Sequence, residues 1–378
     1  MKPTILFFLI FFCITTFAMA QASKDKNFYL VVGTYTNEQK TNGIHVYTFN
    51  SETGNFQEKS KVSDITNPSF LTISRDRKNV YAVSEGGEGK GISAFSFDIA
   101  SGKLAFLNSG SAGGNGPCYV TVDDKKRTVF AGNYGGGSLS ATRLNEDGSL
   151  SQDIQVIQHD GSSVNKGRQD KPHVHAVVLS PDNRFLLVPD LGTDKVNIYR
   201  FDAGNAKPLT PATPAFASVN PGGGPRHLTF HPDGKSAYLI LEMEGAVAAF
   251  DYKGGKLEHK QTITMLAPDF KGRVGAADIH ISPDGKFLYG SNRGEANEIV
   301  IYSIDKNGKL TYAGRQSQGI DTPRNFSIDP TGNFLLVGNQ NSNDIAIFKR
   351  DQETGLLTST GKKIMVDKPV CLKFVAIN

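Results

Sequence analysis

Two histidines, three arginines and three carboxylates recur in this sequence at matched offsets within a repeat. They are His175, Arg226, His227, Arg293, Arg324, Glu85, Asp190 and Glu242. Imidazoles and carboxylates can move protons near neutral pH, and guanidinium groups bind anions in a fixed fork. Gathered in one cleft, they would form a binding and proton-transfer site. His175, Arg226, Glu242 and Arg293 weigh most. A carboxylate or guanidinium on a poorly solvated strand must be paired, with each other or with a ligand. Asn133 falls in the same registers as a further polar contact, and His173 lies two residues before His175.

The registers come from a repeat. An apolar strand, a tight turn and a second apolar strand recur, clearest at Ser180-Pro181-Asp182-Asn183, His231-Pro232-Asp233-Gly234, Ser282-Pro283-Asp284-Gly285 and Asp329-Pro330-Thr331-Gly332. Pro at the first inner turn position, followed by Asp, Asn or Gly, suits such a turn. Weaker copies start at Ser74 and Asp123, so anchors fall at 75, 124, 181, 232, 283 and 330. Each unit of about 50 residues continues with a third and a fourth strand, the size of a propeller blade. Asn27–Gly33, Ile44–Phe49 and Asn55–Phe56 supply three strands of a seventh blade, and Val370–Ala376 supplies its missing first strand. The chain is therefore predicted to be an all-β, seven-bladed β-propeller with four antiparallel strands per blade, closed by its terminal strands so that no sheet edge stays open.

In such a ring, first strands lie nearest the axis, and the hairpin ends opposite the anchor turns meet on one face. Six positions before each anchor stand Ser69, Cys118, His175, Arg226, Ala277 and Arg324. Nine and ten positions after it come pairs such as Ser84-Glu85, Asn133-Tyr134, Asp190-Leu191, Leu241-Glu242 and Asn292-Arg293. Strand interiors are apolar, so the polar residues are predicted to line a mouth. The longest insertion, near residues 153–172, leads into that mouth and is expected to form a lid or wall.

Composition narrows the function. The 41 basic and 37 acidic residues nearly balance, and no basic run stands out, so neither nucleic acid nor a membrane surface is indicated as a partner. Residues 1–20 read as a signal peptide: Lys2, an apolar stretch from Ile5 to Phe17, and Ala18-Met19-Ala20 before Gln21. Residues 21–378 then form one propeller domain, exported to the periplasm or secreted. Cys13 lies in the leader. Cys118 and Cys371 are too few for a disulfide framework and are expected to be buried. His173 and His175 could reach one ion from one side of a strand, with Asp190 or His227 as a third ligand, but nothing in the spacing demands it, and no metal or other cofactor is expected. No serine sits in a nucleophile turn, and the clusters Gly86-Gly87, Gly135-Gly136-Gly137 and Gly222-Gly223-Gly224 precede no helix, so they are not phosphate loops.

Several runs together resemble a known family: Arg168-Gln169-x-x-Pro172-His173-x-His175, Asp190-Leu191-Gly192-x-Asp194, Gly224-Pro225-Arg226-His227, Ser291-Asn292-Arg293-Gly294 and Pro323-Arg324-Asn325-Phe326. They resemble the propeller lactonases of the bacterial 6-phosphogluconolactonase type, which in turn resemble fungal carboxymuconate cyclases. The resemblance implies hydrolysis of a sugar lactone without a metal, with His175, Arg226, Glu242 and Arg293 as catalytic residues. His175 or Glu242 would be the base, and Arg226 and Arg293 would hold the oxyanion. Arg324 would hold a carboxylate or phosphate, and Glu85, Asn133, His173, Asp190 and His227 would complete the substrate contacts. Leu241 stands where the family often has Asn, which implies altered polarity beside the site. Export implies a substrate other than the cytoplasmic sugar-phosphate lactone. A lactone-forming cycloisomerase and a non-catalytic binding propeller are the competing readings of the same residues.

Overall fold

The computed structural model describes residues 26–36, 43–86, 91–123, 125 and 127–377. The leader read over residues 1–20, with Cys13, and the cleavage position Gln21 lie outside the described residues. Among those described, 28 strands form seven four-stranded antiparallel sheets, and there is no helix. The innermost strands are Leu71–Ile73, Pro117–Asp123, Val178–Leu179, Pro225–Phe230, Ala276–Ile281, Pro323–Ile328 and Pro369–Ala376. The inner hairpins of successive blades pack on one another in chain order, and Pro369–Ala376 returns to Leu71–Ile73. That last strand pairs with Asn27–Thr34, so the two chain ends share one sheet, as the repeat predicts.

Local chemistry explains the repeat. In the anchor turns a Ser hydroxyl bonds an Asp two residues on, as Ser180 to Asp182 at 2.6 Å and Ser282 to Asp284 at 2.5 Å. The following position takes a positive φ, occupied by Asn183, Gly234, Gly285 and Gly332. The outer turns lock neighbouring blades together. Tyr81, Tyr238 and Tyr289 on second strands each donate to the carbonyl of Gly148, Gly308 or Gly355 in the next blade, at 2.8–2.9 Å. Apolar cores fill the gaps between sheets. Phe49 meets Phe334 edge-on with centroids 5.6 Å apart, and Phe130 meets Phe201 at 4.9 Å. Each such pair adds about 1 kcal/mol beyond its buried area.

Two details differ from the sequence expectation. The first strand of the third blade is only Val178–Leu179, with an isolated bridge from Val174 to Asp190. His175 N–H still donates to Pro189 O at 3.0 Å, but Pro189 has no N–H to return, so the ladder breaks there. The long insertion is also shorter than expected. Its first part continues the strand Leu150–Gln158, leaving 159–172 as the loop.

Candidate active site

At the mouth end, four inner hairpins lose regular pairing: between Pro117 and Tyr119, Pro225 and Leu228, Ala276 and Ile279, and Pro323 and Asn325. An irregularity of this kind re-aims the side chains it carries. Here it carries Cys118, Arg226, His227, Asp278 and Arg324.

Glu242 follows the strand Ser236–Leu241, with its N–H bonded to Gly224 O at 2.8 Å. Arg226 Nε donates to Glu242 Oε2 at 2.9 Å, Arg293 Nη2 lies 3.1 Å from the same oxygen, and Arg168 Nη2 donates to Oε1 at 2.7 Å. Burial alone would raise the Glu242 carboxyl, but Arg293, Arg226 and Arg168 outweigh it and hold it down at about 2. His175 Nε2 faces this carboxylate at 3.9 Å. Burial, then the nearby Arg226, His227 and Arg324, keep the His175 imidazole well below the ordinary histidine range, so it is neutral at pH 7. Arg226 is 1% exposed. Its Nη1 donates to Ala277 O and His227 Nε2, which leaves its Nη2 group without a hydrogen bond among the described residues.

A second cluster stands across the mouth. Glu85 accepts from Tyr35 Oη at 3.0 Å and from Ser69 Oγ. Burial pushes the Tyr35 hydroxyl up to about 12, so it remains a donor. Arg324 lies over the Tyr35 ring, 5.4 Å from its centroid. Its nearest carboxylate, Glu85, is 3.9 Å away, and its side chain makes no hydrogen bond among the described residues. Around the mouth, four guanidinium groups thus face two carboxylates.

The structure brings His175, Arg226, Glu242 and Arg293 together, and Glu85 with Arg324 beside them. Asp190 and Asn133 do not open onto the mouth. Asp190 Oδ1 accepts from the His173 and Gly192 N–H groups and Oδ2 from His159 Nδ1 at 2.7 Å. Asn133 Nδ2 binds Ala112 O and Ser138 Oγ. The same register holds Asn292, which accepts from Gly275 N, and Asn339, which accepts from Asp321 N. Nine places after the anchor, the side chain brackets a loop. Ten places after it, on the opposite face of the strand, the side chain enters the mouth. Leu241 belongs to the bracket register and is fully buried in an apolar cluster between two blades. His173 sits at the rim, stacked on Tyr134 with centroids 4.5 Å apart. His227 stands between Arg226 Nη1, 3.2 Å from its Nε2, and Asp278 Oδ1, 2.7 Å from its Nδ1.

Sequence offsets did not reach Arg168 or Tyr35, whereas Ser69, Tyr134 and Asp278 stand in the repeat registers but were not singled out as site residues. Arg168 reaches Glu242 because the 159–172 loop is pinned by Asp194, a residue of one of the quoted runs. Asp194 Oδ1 accepts from Gln169 Nε2 and Gly224 N, both at 2.8 Å, and Oδ2 accepts from Ser163 Oγ at 2.5 Å and Gly222 N at 2.7 Å. Bonds to a buried carboxylate each contribute about 1.5–3 kcal/mol. Asp194→Ala is therefore expected to expose Lys166 and Arg168 to trypsin and to raise KM roughly tenfold. Unchanged proteolysis and KM would show that the loop is held by other contacts.

Among the described residues, no three His, Cys, Asp or Glu side chains converge as metal ligands. His173 Nδ1 is bonded to Tyr134 O at 2.8 Å and its Nε2 faces Asp170 at 3.8 Å, whereas His175 Nδ1 faces Cys118 Sγ at 3.7 Å and its Nε2 faces Glu242 at 3.9 Å. Cys118 and Cys371 are buried and unbridged.

The chain matches the family model described as "Lactonase, 7-bladed beta-propeller" over residues 29–374. It is 38% identical over 343 residues to the 6-phosphogluconolactonase of Formosa agariphila, covering 89% of this chain and 97% of that one. A crystal structure from Bacteroides fragilis, provisionally named a 6-phosphogluconolactonase, superposes with a TM-score of 0.88 at 44% identity, covering 94% of this chain and 99% of that one. The periplasmic gluconolactonase of Pseudomonas aeruginosa superposes with a TM-score of 0.86 at 37% identity, covering 93% and 100%.

Proposed function

Since this chain belongs to the seven-bladed β-propeller lactonases and is a lactone hydrolase, we propose that it opens a sugar lactone of the gluconolactone type at the Glu242 cluster. One observation carries the assignment of the site. A neutral imidazole, His175, and a guanidinium with an unused amino group, Arg226, meet at one carboxylate. Water lies between His175 Nε2 and the lactone carbonyl carbon. As its oxygen attacks, its proton passes to Nε2, and the carbonyl electron pair becomes an oxyanion held by Arg226 and Arg293. The ring C–O bond then breaks, and the leaving oxygen takes the proton back from His175. The product is an open-chain hydroxy acid, and His175 returns neutral. Glu242 holds the three arginines in place; at its depressed pKa it is a poor base.

Arg324, with its fork unfilled, receives an anionic substituent of the substrate, and Glu85 accepts from sugar hydroxyls. The leader read over residues 1–20 and the periplasmic relative both support action outside the cytoplasm. The test is hydrolysis of a lactone panel, phosphorylated and not, by protein lacking residues 1–20, with and without chelator. Chelator-resistant turnover of a sugar lactone is expected. Chelator-sensitive turnover would replace His175 as base by a metal-bound water, and no turnover of sugar lactones would overturn the substrate class. In the same assay, Arg324→Ala is expected to raise KM for a phosphorylated lactone roughly tenfold to a hundredfold, the worth of a charge-assisted contact, while unphosphorylated lactones change less. An equal change for both would place Arg324 at the reacting carboxyl instead.

A further inference from the structure

Arg226 is the most buried guanidinium of the mouth, and something must fix its orientation. One end is held by Glu242. The other meets His227 Nε2 at 3.2 Å through Nη1. The opposite nitrogen of that ring, Nδ1, lies 2.7 Å from Asp278 Oδ1. Asp278 Oδ2 accepts from His280 Nε2 at 2.8 Å and from Asn325 Nδ2. Asn325 Oδ1 in turn accepts from Leu372 N at 2.7 Å, on the strand that closes the ring. The series thus runs from the closing strand to the mouth.

We propose that His227 and Asp278 are positioning residues, holding the Arg226 guanidinium in one orientation through a single tautomer of the His227 ring. This rests on the reading of Arg226 as a partner of the oxyanion. An ionised carboxylate can only accept, so Asp278 requires the proton on Nδ1. Nε2 is then a bare acceptor, the only partner a guanidinium N–H can use. The other tautomer would set two N–H groups against each other. The charges agree. Asp278 is held well below the usual carboxylate range by His280 and His227 against the effect of burial. Burial and Arg226 bring His227 down to about 3, despite Asp278, so the ring is neutral. Phe70, Tyr119 and His175 pack around it edge-to-face at 5.7, 5.2 and 5.5 Å, and it is 5% exposed. With both Nη1 hydrogens and Nε spent, only Nη2 of Arg226 remains for the reaction.

The test combines nitrogen NMR of histidine-labelled protein with kinetics. His227, assigned by the signal lost in His227→Gln, should show a protonated Nδ1 and a bare Nε2. His227→Phe keeps a ring but offers no acceptor, and kcat should fall roughly a hundredfold with KM within about threefold. His227→Gln, whose amide oxygen can accept from Arg226, should recover part of that loss. Asp278→Asn must turn a donor toward one of its partners and should lower kcat similarly, as a wrong tautomer does. A protonated Nε2 in the wild-type protein, or wild-type kcat in His227→Phe, would overturn the proposal. If a variant does not fold, the wild-type spectrum still decides. The two failures separate cleanly: activity surviving in Arg226→Ala removes the oxyanion reading, whereas an inactive Arg226→Ala beside a fully active His227→Phe removes only the positioning role.

Discussion

Arg226→Ala is expected to lower kcat by about 10²–10³, the cost of deleting one principal donor to a developing oxyanion. The free Nη2 group sits in a buried, water-poor setting, where a preorganised donor is worth far more than in water. The variant should also lose stability. His227 Nε2 and Ala277 O each lose a donor, at a cost of about 1–3 kcal/mol. Glu242 keeps Arg168 and Arg293, so no bare buried charge remains and the fold should survive. Arg226→Lys is the sharper variant. It keeps the charge, but one ammonium cannot serve Glu242, Ala277 and His227 and still face substrate. It should recover stability better than kcat. Full kcat in Arg226→Ala, measured on protein whose melt confirms folding, would move the oxyanion role to Arg293.

That Arg226, Glu242 and Arg293 share a mouth follows from the repeat alone. A blade repeats its geometry with its sequence, so equal offsets from the anchor turn mean equal heights on the ring. The same reasoning fails at Asp190 and Asn133 for a physical reason. Adjacent strand residues point to opposite faces, and offset nine faces the loops while offset ten faces the axis. Polar residue types are common to both, since a buried loop N–H needs an acceptor as much as a substrate hydroxyl does. Leu241 shows the converse. In its blade the neighbouring Gly222 and Gly224 N–H groups are taken by Asp194, so the bracket position can be apolar. Arg168 and Tyr35 were beyond any offset. Arg168 lies in the loop 159–172, where length carries no register, and Tyr35 follows the strand Asn27–Thr34 of the blade assembled from both chain ends. The broken first strand at Val178–Leu179 also escaped notice, because Pro189 acts on its partner strand.

The base is decided by pH. His175→Gln is expected to lower kcat by roughly 10²–10⁴ with a small effect on KM, the range for loss of a positioned proton acceptor. The wild-type profile carries the sharper information. A base works only when unprotonated. Burial, reinforced by Arg226, His227 and Arg324, depresses the His175 pKa well below 6.5, so the active form is already complete at neutral pH. As pH falls, kcat/KM should stay level through 6.5 and drop only below it, as His175 takes up its proton. An acid limb at an ordinary histidine value would exclude this buried ring. A profile still level near pH 4, together with kcat retained in His175→Gln, would instead point to Glu242, held at about 2. Geometry favours the imidazole. Burial pushes the Cys118 thiol up to about 12, so it keeps its proton and donates to Val174 O or His175 O at 3.6 Å. Its sulfur is then an acceptor 3.7 Å from His175 Nδ1, which places the ring proton there and leaves Nε2, on the Glu242 side, free to take a proton from water.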